Sequence, residues 1–141
     1  MSLVSSRTQT LSSNEAMAIG IIAIDHVNVV VPKALEAAAK YFYGSVLGLE
    51  EIAKPIESRG RGGAWYQLGG VQLHLSVKAD LVDSQTRKGH VCYTIADVAL
   101  AEEKLRLGGI EIIADDQPVP GKPRFYVQDP GGNLIELAQN V

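Results

Sequence analysis

Several features are scarce in this sequence, and each scarcity excludes a class of protein. One cysteine, Cys92, occurs in 141 residues, so an internal disulfide is excluded. Cys92 stands in a strand-like run, a position typical of a small buried hydrophobe and not of a nucleophile. The 13 basic residues, against 16 acidic ones, form no run that could neutralise a row of phosphates. Nucleic acid is therefore not an expected partner.

Long apolar runs are also missing. No stretch approaches the roughly 20 apolar residues that cross a bilayer, and the N-terminus has neither the basic start nor the apolar centre of a signal peptide. We therefore expect a cytoplasmic protein without a membrane partner. What is present is an ordinary globular composition, 46% apolar and 21% charged, which suffices for one core of domain size.

The distribution of residue types divides the chain into successive parts. Residues 1–20 are rich in Ser, Thr, Asn and Gln, show no strand periodicity, and are predicted to be disordered. Residues 21–78 and 90–139 each have the pattern of a strand, a helix and three more strands, and the polar stretch 79–89 links them. We expect these two parts to form one domain together.

The first part predicts its elements from local patterns. β-branched apolar residues predict a strand over 22–31 that ends at Pro32, and apolar residues at spacings of three and four predict a helix over 33–46. The next predicted strands are 49–55, 63–69 and 71–78. A mobile loop, SRGRGG, separates the first two of these strands, and Gly69-Gly70 forms the turn between the last two.

The second part repeats this order. The run HVCYTIAD predicts a strand that ends at Asp97, which can cap a helix ending at Gly108-Gly109. The residues predicted to face inward from this helix are Val98, Ala101, Leu105 and Leu107. The runs IEIIAD, PRFYVQD and NLIELAQ predict the remaining strands, with DPGG as the turn between the last two.

The similarity of the two parts extends to single residues. Residues 69–75 match residues 131–137 at an offset of 62, and residues 26–27 match residues 90–91 at an offset of 64. Small differences in loop and helix length account for the change of offset. The pattern indicates one supersecondary unit used twice.

Alternation along the strands predicts where the polar residues lie. Side chains of a strand alternate between its two faces, so the apolar set shows which face packs on the helices. The opposite face then receives His26, Asn28, Gln72, His74, Ser76, His90, Cys92, Thr94 and Glu136. Symmetry between the repeats would bring these strands to one shared point. Three imidazoles and a carboxylate are ligands of Zn, Ni, Co, Mn or Fe(II), so we predict a metal site of His26, His74, His90 and Glu136.

Five stretches of the chain occur in a distinctive combination: DHVNVVV, YFYGSVLGLE, LHLSV, GHVCYTIAD and FYVQDPGGNLIEL. In this combination the chain resembles the vicinal oxygen chelate superfamily, which includes glyoxalase I, bleomycin-resistance proteins and extradiol dioxygenases, over about residues 22–139. The resemblance implies an α+β fold of two paired βαβββ modules that bend a mixed sheet around a cavity. It also implies one divalent metal, held by the first and last strands of the modules.

The resemblance can be followed residue by residue. His26 matches the family's first-strand histidine, His90 the histidine that opens the second module, and Glu136 the terminal glutamate. His74 stands where glyoxalase I has a glutamate ligand and methylmalonyl-CoA epimerase a glutamine. Val30 replaces the arginine with which glyoxalase I binds glutathione. The superfamily also includes fosfomycin-resistance thiol transferases, and Asn28 replaces a threonine of those enzymes. These departures argue against both of those activities.

Three functional interpretations follow from this ligand set. The leading one is a lyase or isomerase that transfers a proton on a small substrate chelating the metal through adjacent oxygens, with Glu136 as base and His74 as its partner. The second is an extradiol-type dioxygenase, because His26, His90 and Glu136 alone form the triad of nonhaem Fe(II) sites. The third is a metal-free binding protein similar to the bleomycin-resistance members, against which the three histidines argue.

Other polar residues are candidates for substrate contact. On the cavity face and the neighbouring strands these are Asn28, Trp65, Gln67, Ser76, Thr94 and Arg124. Arg59 and Arg61 are candidates for an anion-binding lid, and Lys122 and Arg124 for a second cationic wall. We therefore expect a small-molecule substrate and favour an anionic one. Open sheet edges need cover, so we expect a homodimer in which each metal can draw ligands from both chains.

Overall fold

Each half of the chain forms one four-stranded mixed sheet. The structure is a computed structural model that describes residues 18–81 and 89–140. In the first sheet the order is β1-β4-β3-β2, and in the second it is β5-β8-β7-β6. In each sheet the first and last strands of the half are parallel and the other pairs are antiparallel. The strands are β1 (His26–Pro32), β2 (Glu50–Ile52), β3 (Ala64–Leu68), β4 (Val71–Lys78), β5 (Val91–Thr94), β6 (Ile113–Ala114), β7 (Arg124–Gln128) and β8 (Leu134–Ala138).

This architecture confirms the predicted fold class of two βαβββ modules. In the first module a helical crossover returns the chain so that β2 runs in the direction of β1. The antiparallel pairs β2/β3 and β3/β4 then leave β4 parallel to β1, and the second module repeats this with β5 to β8. Most of the segment 1–20 and of the linker 79–89 lies outside the described residues. None of the described helices is both long enough and apolar enough to cross a membrane.

The helix of the first module is less regular than its sequence pattern predicts. A 3-10 turn, Lys33–Leu35, leads into helix α1 (Glu36–Tyr41), and the five residues Phe42–Val46 form a π turn. The π turn is closed by a hydrogen bond from the Leu47 amide to the Phe42 carbonyl, 2.8 Å long. The predicted span 33–46 is thus helical throughout, but it uses all three kinds of helical turn.

The helix of the second module begins and ends where predicted. Helix α2 (Val98–Leu107) is capped by Asp97, whose carboxylate accepts a hydrogen bond of 3.0 Å from the Leu100 amide. The prediction that Leu107 faces inward is wrong, since Leu107 is 82% exposed. Leu105 is buried, and a residue two positions further points to the opposite side of a helix.

Strands β1, β2 and β6 are shorter than predicted. The predicted strand 22–31 begins only at His26, because His26 pairs with Gln72, one residue after the start of β4. The preceding isoleucines therefore have no strand to pair with and are exposed. The edge strands β2 and β6 are likewise shorter than the predicted strands at 49–55 and 110–115.

The core lies between the helices and the apolar faces of both sheets. The largest fully buried side chains among the described residues are Val31, Tyr43, Tyr66, Leu73, Leu75, Val127 and Ile135. These residues come from both modules and form one continuous cluster. The prediction that Cys92 is buried is wrong: Cys92 is exposed, because it lies on the opposite face of β5.

Candidate functional site

The faces of the two sheets that point away from the helices carry the predicted site residues. In the first sheet the pairing places Asn28 and Trp65 on either side of His74. In the second sheet it places Cys92 and Tyr126 on either side of Glu136. Residues that pair across strands share a face, so each sheet presents a row of polar and aromatic groups.

A stack of three rings forms the site of the first module. The ring of His74 lies between that of Trp65, 3.7 Å away with an interplanar angle of 5°, and that of His26, 4.1 Å away at 20°. His26 is half exposed, and its Nδ1 lies 2.8 Å from a carboxylate oxygen of Asp25. The two histidines of this module are therefore brought together as predicted by their strand positions.

The environment of His74 favours its neutral form. Burial lowers the pKa of His74, and the neighbouring His26 lowers it further. Its Nε2 lies 2.9 Å from Oε1 of Gln72. A neutral imidazole can bind a metal ion or accept a proton, and His74 can do either once this contact is exchanged.

A hydrogen-bonded pair forms the site of the second module. Nε2 of His90 lies 2.9 Å from Oε1 of Glu136, whose carboxylate is almost completely buried. Burial raises the pKa of Glu136, but hydrogen bonds from His90, Cys92 and Arg124 outweigh it, so that the pKa lies below its usual value. Glu136 is thus held as a carboxylate, the form that a metal ligand or general base requires.

Arg124 holds the other oxygen of this carboxylate. Its Nη1 donates to Oε2 of Glu136 at 3.2 Å, and its Nε donates to Asp115 at 2.8 Å. Nη2 donates to the carbonyl of Gln117 at 2.8 Å. Arg124 was predicted from the sequence to contact substrate, and the structure places it between Asp115 and Glu136.

The sequence reasoning missed several residues of this second site. Asp115, predicted as the last residue of the strand 110–115, lies just after β6, and Gln117 lies in the connection to β7. Neither was assigned to the site from the sequence. Tyr126 alternates with Arg124 along β7 and could have been found by that pattern; its ring meets that of His90 edge to face at 5.6 Å. Its position opposite Glu136 makes it part of the same wall.

The remaining predicted contact residues lie on the polar faces or at their edges. The Ser76 hydroxyl donates to the side-chain carbonyl of Asn28 at 2.7 Å, which joins β4 to β1. The side-chain amide of Gln67 donates to the backbone carbonyls of Gly69 and Val71 and so stabilises the hairpin turn. Thr94 is exposed on β5. The loop with Arg59 and Arg61 forms 3-10 turns over Ile56–Arg61.

The four predicted metal ligands lie in two separate pairs within one chain. His26 contacts His74, and His90 contacts Glu136. Across residues 18–81 and 89–140, no three His, Cys, Asp or Glu side chains are grouped closely enough to hold a metal ion. The donor types suit Zn, Ni, Co, Mn or Fe(II), but each module of the chain supplies half of the predicted set.

Comparisons with known proteins agree with this architecture. The profile of the Glyoxalase/Bleomycin resistance protein/Dioxygenase superfamily matches residues 23–137. A glyoxalase family protein from Bacillus anthracis is 37% identical, with 89% of this chain and 100% of that chain covered and a TM-score of 0.79. A search of curated proteins finds no match.

Two more distant structures share the fold. A glyoxalase/dioxygenase from Nostoc punctiforme is 22% identical over 96% of this chain and 99% of that chain, with a TM-score of 0.69. The fosfomycin resistance protein FosX from Listeria monocytogenes is 18% identical over 86% of this chain and 94% of that chain, with a TM-score of 0.71. A FosX variant has been crystallised with Mn(II) and 1S,2S-dihydroxypropylphosphonic acid.

The family profile covers both βαβββ modules and every predicted metal ligand. The Bacillus anthracis structure is similar over the same modules. This chain therefore belongs to the glyoxalase/bleomycin resistance protein/dioxygenase superfamily.

Proposed function

We propose that the protein is a divalent-metal-dependent enzyme of this superfamily, a glyoxalase-like lyase or isomerase. Its substrate is a small molecule that chelates the metal through adjacent oxygens. One observation carries the proposal: the polar face of each module presents a pair of metal-binding side chains, His26 with His74 and His90 with Glu136. Such a duplicated arrangement has no role in the core, which lies on the other faces of the sheets.

A second copy of the chain completes the proposed site. β1 and β5, which carry or adjoin His26 and His90, are the outermost strands of their sheets. Outer strands leave unpaired backbone groups that another strand can cover. On β1 the Val30 carbonyl is already bonded to Asn133 of the same chain, so a partner strand would pair with the part of β1 nearer His26. A two-fold dimer that joins the first module of one chain to the second module of the other would bring both pairs together, twice per dimer.

Each side chain has a proposed role in this composite site. His26, His90 and Glu136 bind the metal, which when bound polarises the substrate oxygens and acidifies the adjacent C–H. Glu136 takes the proton, because it is held in the deprotonated form and its carboxylate is shielded from water. His74 is the fourth ligand or the partner base that returns the proton. Arg124 keeps the carboxylate of Glu136 oriented.

A second candidate function, an extradiol-type dioxygenase, is supported by the position of His74. This ring is enclosed between Trp65 and His26, and its Nε2 faces Gln72. If His74 keeps these contacts, His26, His90 and Glu136 form a three-ligand site. The open positions of such a site are what nonhaem Fe(II) chemistry with O2 requires.

Metal analysis and calorimetry test the proposal. We expect protein purified without added metal to contain about one metal ion per chain. Zn, Ni or Co with turnover of carbonyl substrates indicates the lyase or isomerase, and iron with catechol cleavage indicates the dioxygenase. Glu136→Gln should weaken Zn(II) binding at least about a hundredfold. The matched control Glu102→Gln changes a surface carboxylate paired with Arg106 and should bind Zn(II) as the wild type does.

Absence of metal binding would contradict the proposal. If neither Zn(II) nor Ni(II) gives a calorimetric signal with the wild-type chain, the metal-free binding protein is the correct interpretation. If metal does bind, an Ala substitution of His74 distinguishes the two enzymatic candidates. Loss of metal affinity indicates a fourth ligand, and unchanged affinity indicates the three-ligand site.

A further inference from the structure

A polar cavity of about 250 Å³ lies beside His74, on the face of the sheet that carries the site. Its polar and aromatic lining includes Lys54, Ser58, Arg61, Trp65, His74 and Ser76. None of the described residues that line the cavity is an Asp or a Glu. Two cationic side chains therefore face a concave space that no lining carboxylate neutralises.

We propose that this cavity binds an oxyanion group of the substrate, with Lys54 and Arg61 as its cationic ligands. The inference deepens the proposed function and rests on it, because it names the substrate class of the same face. An anion held here would direct the remainder of the substrate toward His74 and His26. Hydrogen bonds between a cationic donor and an oxyanion are about twice as strong as neutral ones.

Both cations are available for a ligand. The half-buried Lys54 donates one hydrogen bond, to the carbonyl of Gly62, which leaves two of its three N–H groups for an anion. Within the described ranges neither Lys54 nor Arg61 forms an ion pair with a carboxylate. By contrast, Lys40 and Arg106 are each paired with a glutamate one helical turn away.

The wall that carries the cations is anchored to the fold. The Gly63 amide donates to Oε2 of Glu36 at 2.7 Å, which ties the end of the loop to α1. Gly63 has a φ of +76°, and a Cβ there would lie 2.0 Å from the carbonyl oxygen of Leu75. Nε of Arg59 donates to the Lys54 carbonyl at 2.9 Å and closes the loop on itself. These contacts fix the position of the cavity wall.

The fluorescence of Trp65 can report on binding in the cavity. Trp65 is the single tryptophan of the chain, lines the cavity and stacks on His74. A ligand that enters the cavity changes the surroundings of the indole. Intrinsic fluorescence therefore reports on this cavity without a label.

Titration of the full-length chain with inorganic phosphate, and separately with acetate, tests the inference. Ionic strength is kept constant with NaCl, because screening alone weakens contacts between charges. We expect a saturable change in Trp65 fluorescence with at least one of the two anions. If phosphate binds more tightly, the cavity prefers a tetrahedral oxyanion, and if acetate binds more tightly, it prefers a planar one.

Three variants identify the ligands of the anion. Lys54→Met and Arg61→Met should each weaken binding about tenfold, and Lys54→Arg should retain most of it. Arg106→Met removes the same charge from the surface of α2 and should leave the affinity unchanged. Since Arg61 is exposed, its variant tests the inference even if Lys54→Met perturbs the loop.

Two results would overturn the inference. One is the absence of a saturable response, or a response that the Lys54 and Arg61 variants share with the wild type. The other is phosphate binding that disappears when metal is removed by a chelator, which would place the anion on the metal itself. Zn(II) affinity measured on the same variants separates this outcome from a failure of the proposed enzyme, because Lys54 and Arg61 are not among the metal ligands.

Discussion

Arg124 shows how a single side chain can influence the proposed chemistry through a neighbouring residue. Its guanidinium joins Asp115 to Glu136, and its Nη2 is held by the carbonyl of Gln117. The planar fork of arginine fits such a bridge, and a lysine ammonium does not reproduce it. Partners that orient a metal ligand commonly contribute ten- to a hundredfold to metal affinity, roughly, although they do not touch the metal.

We therefore predict that Arg124→Met lowers Zn(II) affinity by about tenfold or more. The carboxylate of Glu136 loses its fixed orientation, and Asp115 loses its partner. Calorimetric titration with Zn(II) measures the effect, and circular dichroism verifies that the variant is folded. Arg124→Lys should recover only part of the affinity. A folded Arg124→Met protein with wild-type affinity would show that Arg124 does not position Glu136.

The start of β3 depends on a contact with the first helix. Glu36 of α1 accepts the Gly63 hydrogen bond and lies 3.6 Å from Lys40. The bond from the Gly63 amide, helped by the charge of Lys40, lowers the pKa of Glu36 although burial opposes the shift. A carboxyl group whose pKa is lowered by folding stabilises the fold above its unfolded pKa, and the contribution is lost as the pH falls through the lowered value.

Glu36→Gln should therefore reduce the free energy of unfolding by about 1 kcal/mol at neutral pH, where Glu36 is charged. The difference from the wild type should shrink as the pH falls below the usual pKa of about 4.5, and it should vanish below the lowered pKa of Glu36, where both side chains are neutral. Urea unfolding at a series of pH values measures it. Glu102→Gln, at a surface ion pair, should cost less than about 0.5 kcal/mol. If the loss of free energy of unfolding in Glu36→Gln did not change with pH, the charge of Glu36 would not have the role given to it here.

The elements also show which parts of the fold could be predicted from the sequence. Alternation assigned His74 and Glu136 to the correct face, because the direction of a strand side chain depends only on its neighbours in the chain. Strand ends were less predictable, since β1 begins where β4 offers a partner. The stack of Trp65 on His74 and the bridge from Arg124 to Asp115 depend on contacts between segments, for which a single sequence carries no pattern.

At the scale of the whole molecule, the modules are joined through the DPGG turn. The Tyr43 hydroxyl of the first module donates to Asp129 of the second at 2.7 Å, in the interior of the chain. The side-chain amide of Asn133 donates to the Val30 carbonyl. Gly131 lies close to Val31, since a Cβ on Gly131 would lie 2.7 Å from the Val31 side chain. This joint lies next to the shared core, whereas the two pairs of site residues lie on the other faces of the sheets.

Co-expression of two defective chains tests whether the site spans the dimer. His26→Ala disables the first module and Glu136→Gln the second. In a mixed dimer one composite site combines both defects and the other is intact, so purified mixed dimers should contain about half of the wild-type metal content. Metal analysis of doubly tagged, purified dimers measures it. The control pair His90→Ala with Glu136→Gln, both in the second module, should restore none. No recovery with the first pair would refute a site shared between chains.

The closed core and the divided site together have a consequence for how the protein is controlled. One chain has the interior it needs to fold, since residues of both modules form a single buried cluster. On the proposed arrangement it does not have the complete chemistry, since each of its modules holds half of the donor set. A lone protomer would then be folded but inactive. Activity would depend on the fraction of chains in dimers, and so on the concentration of the protein.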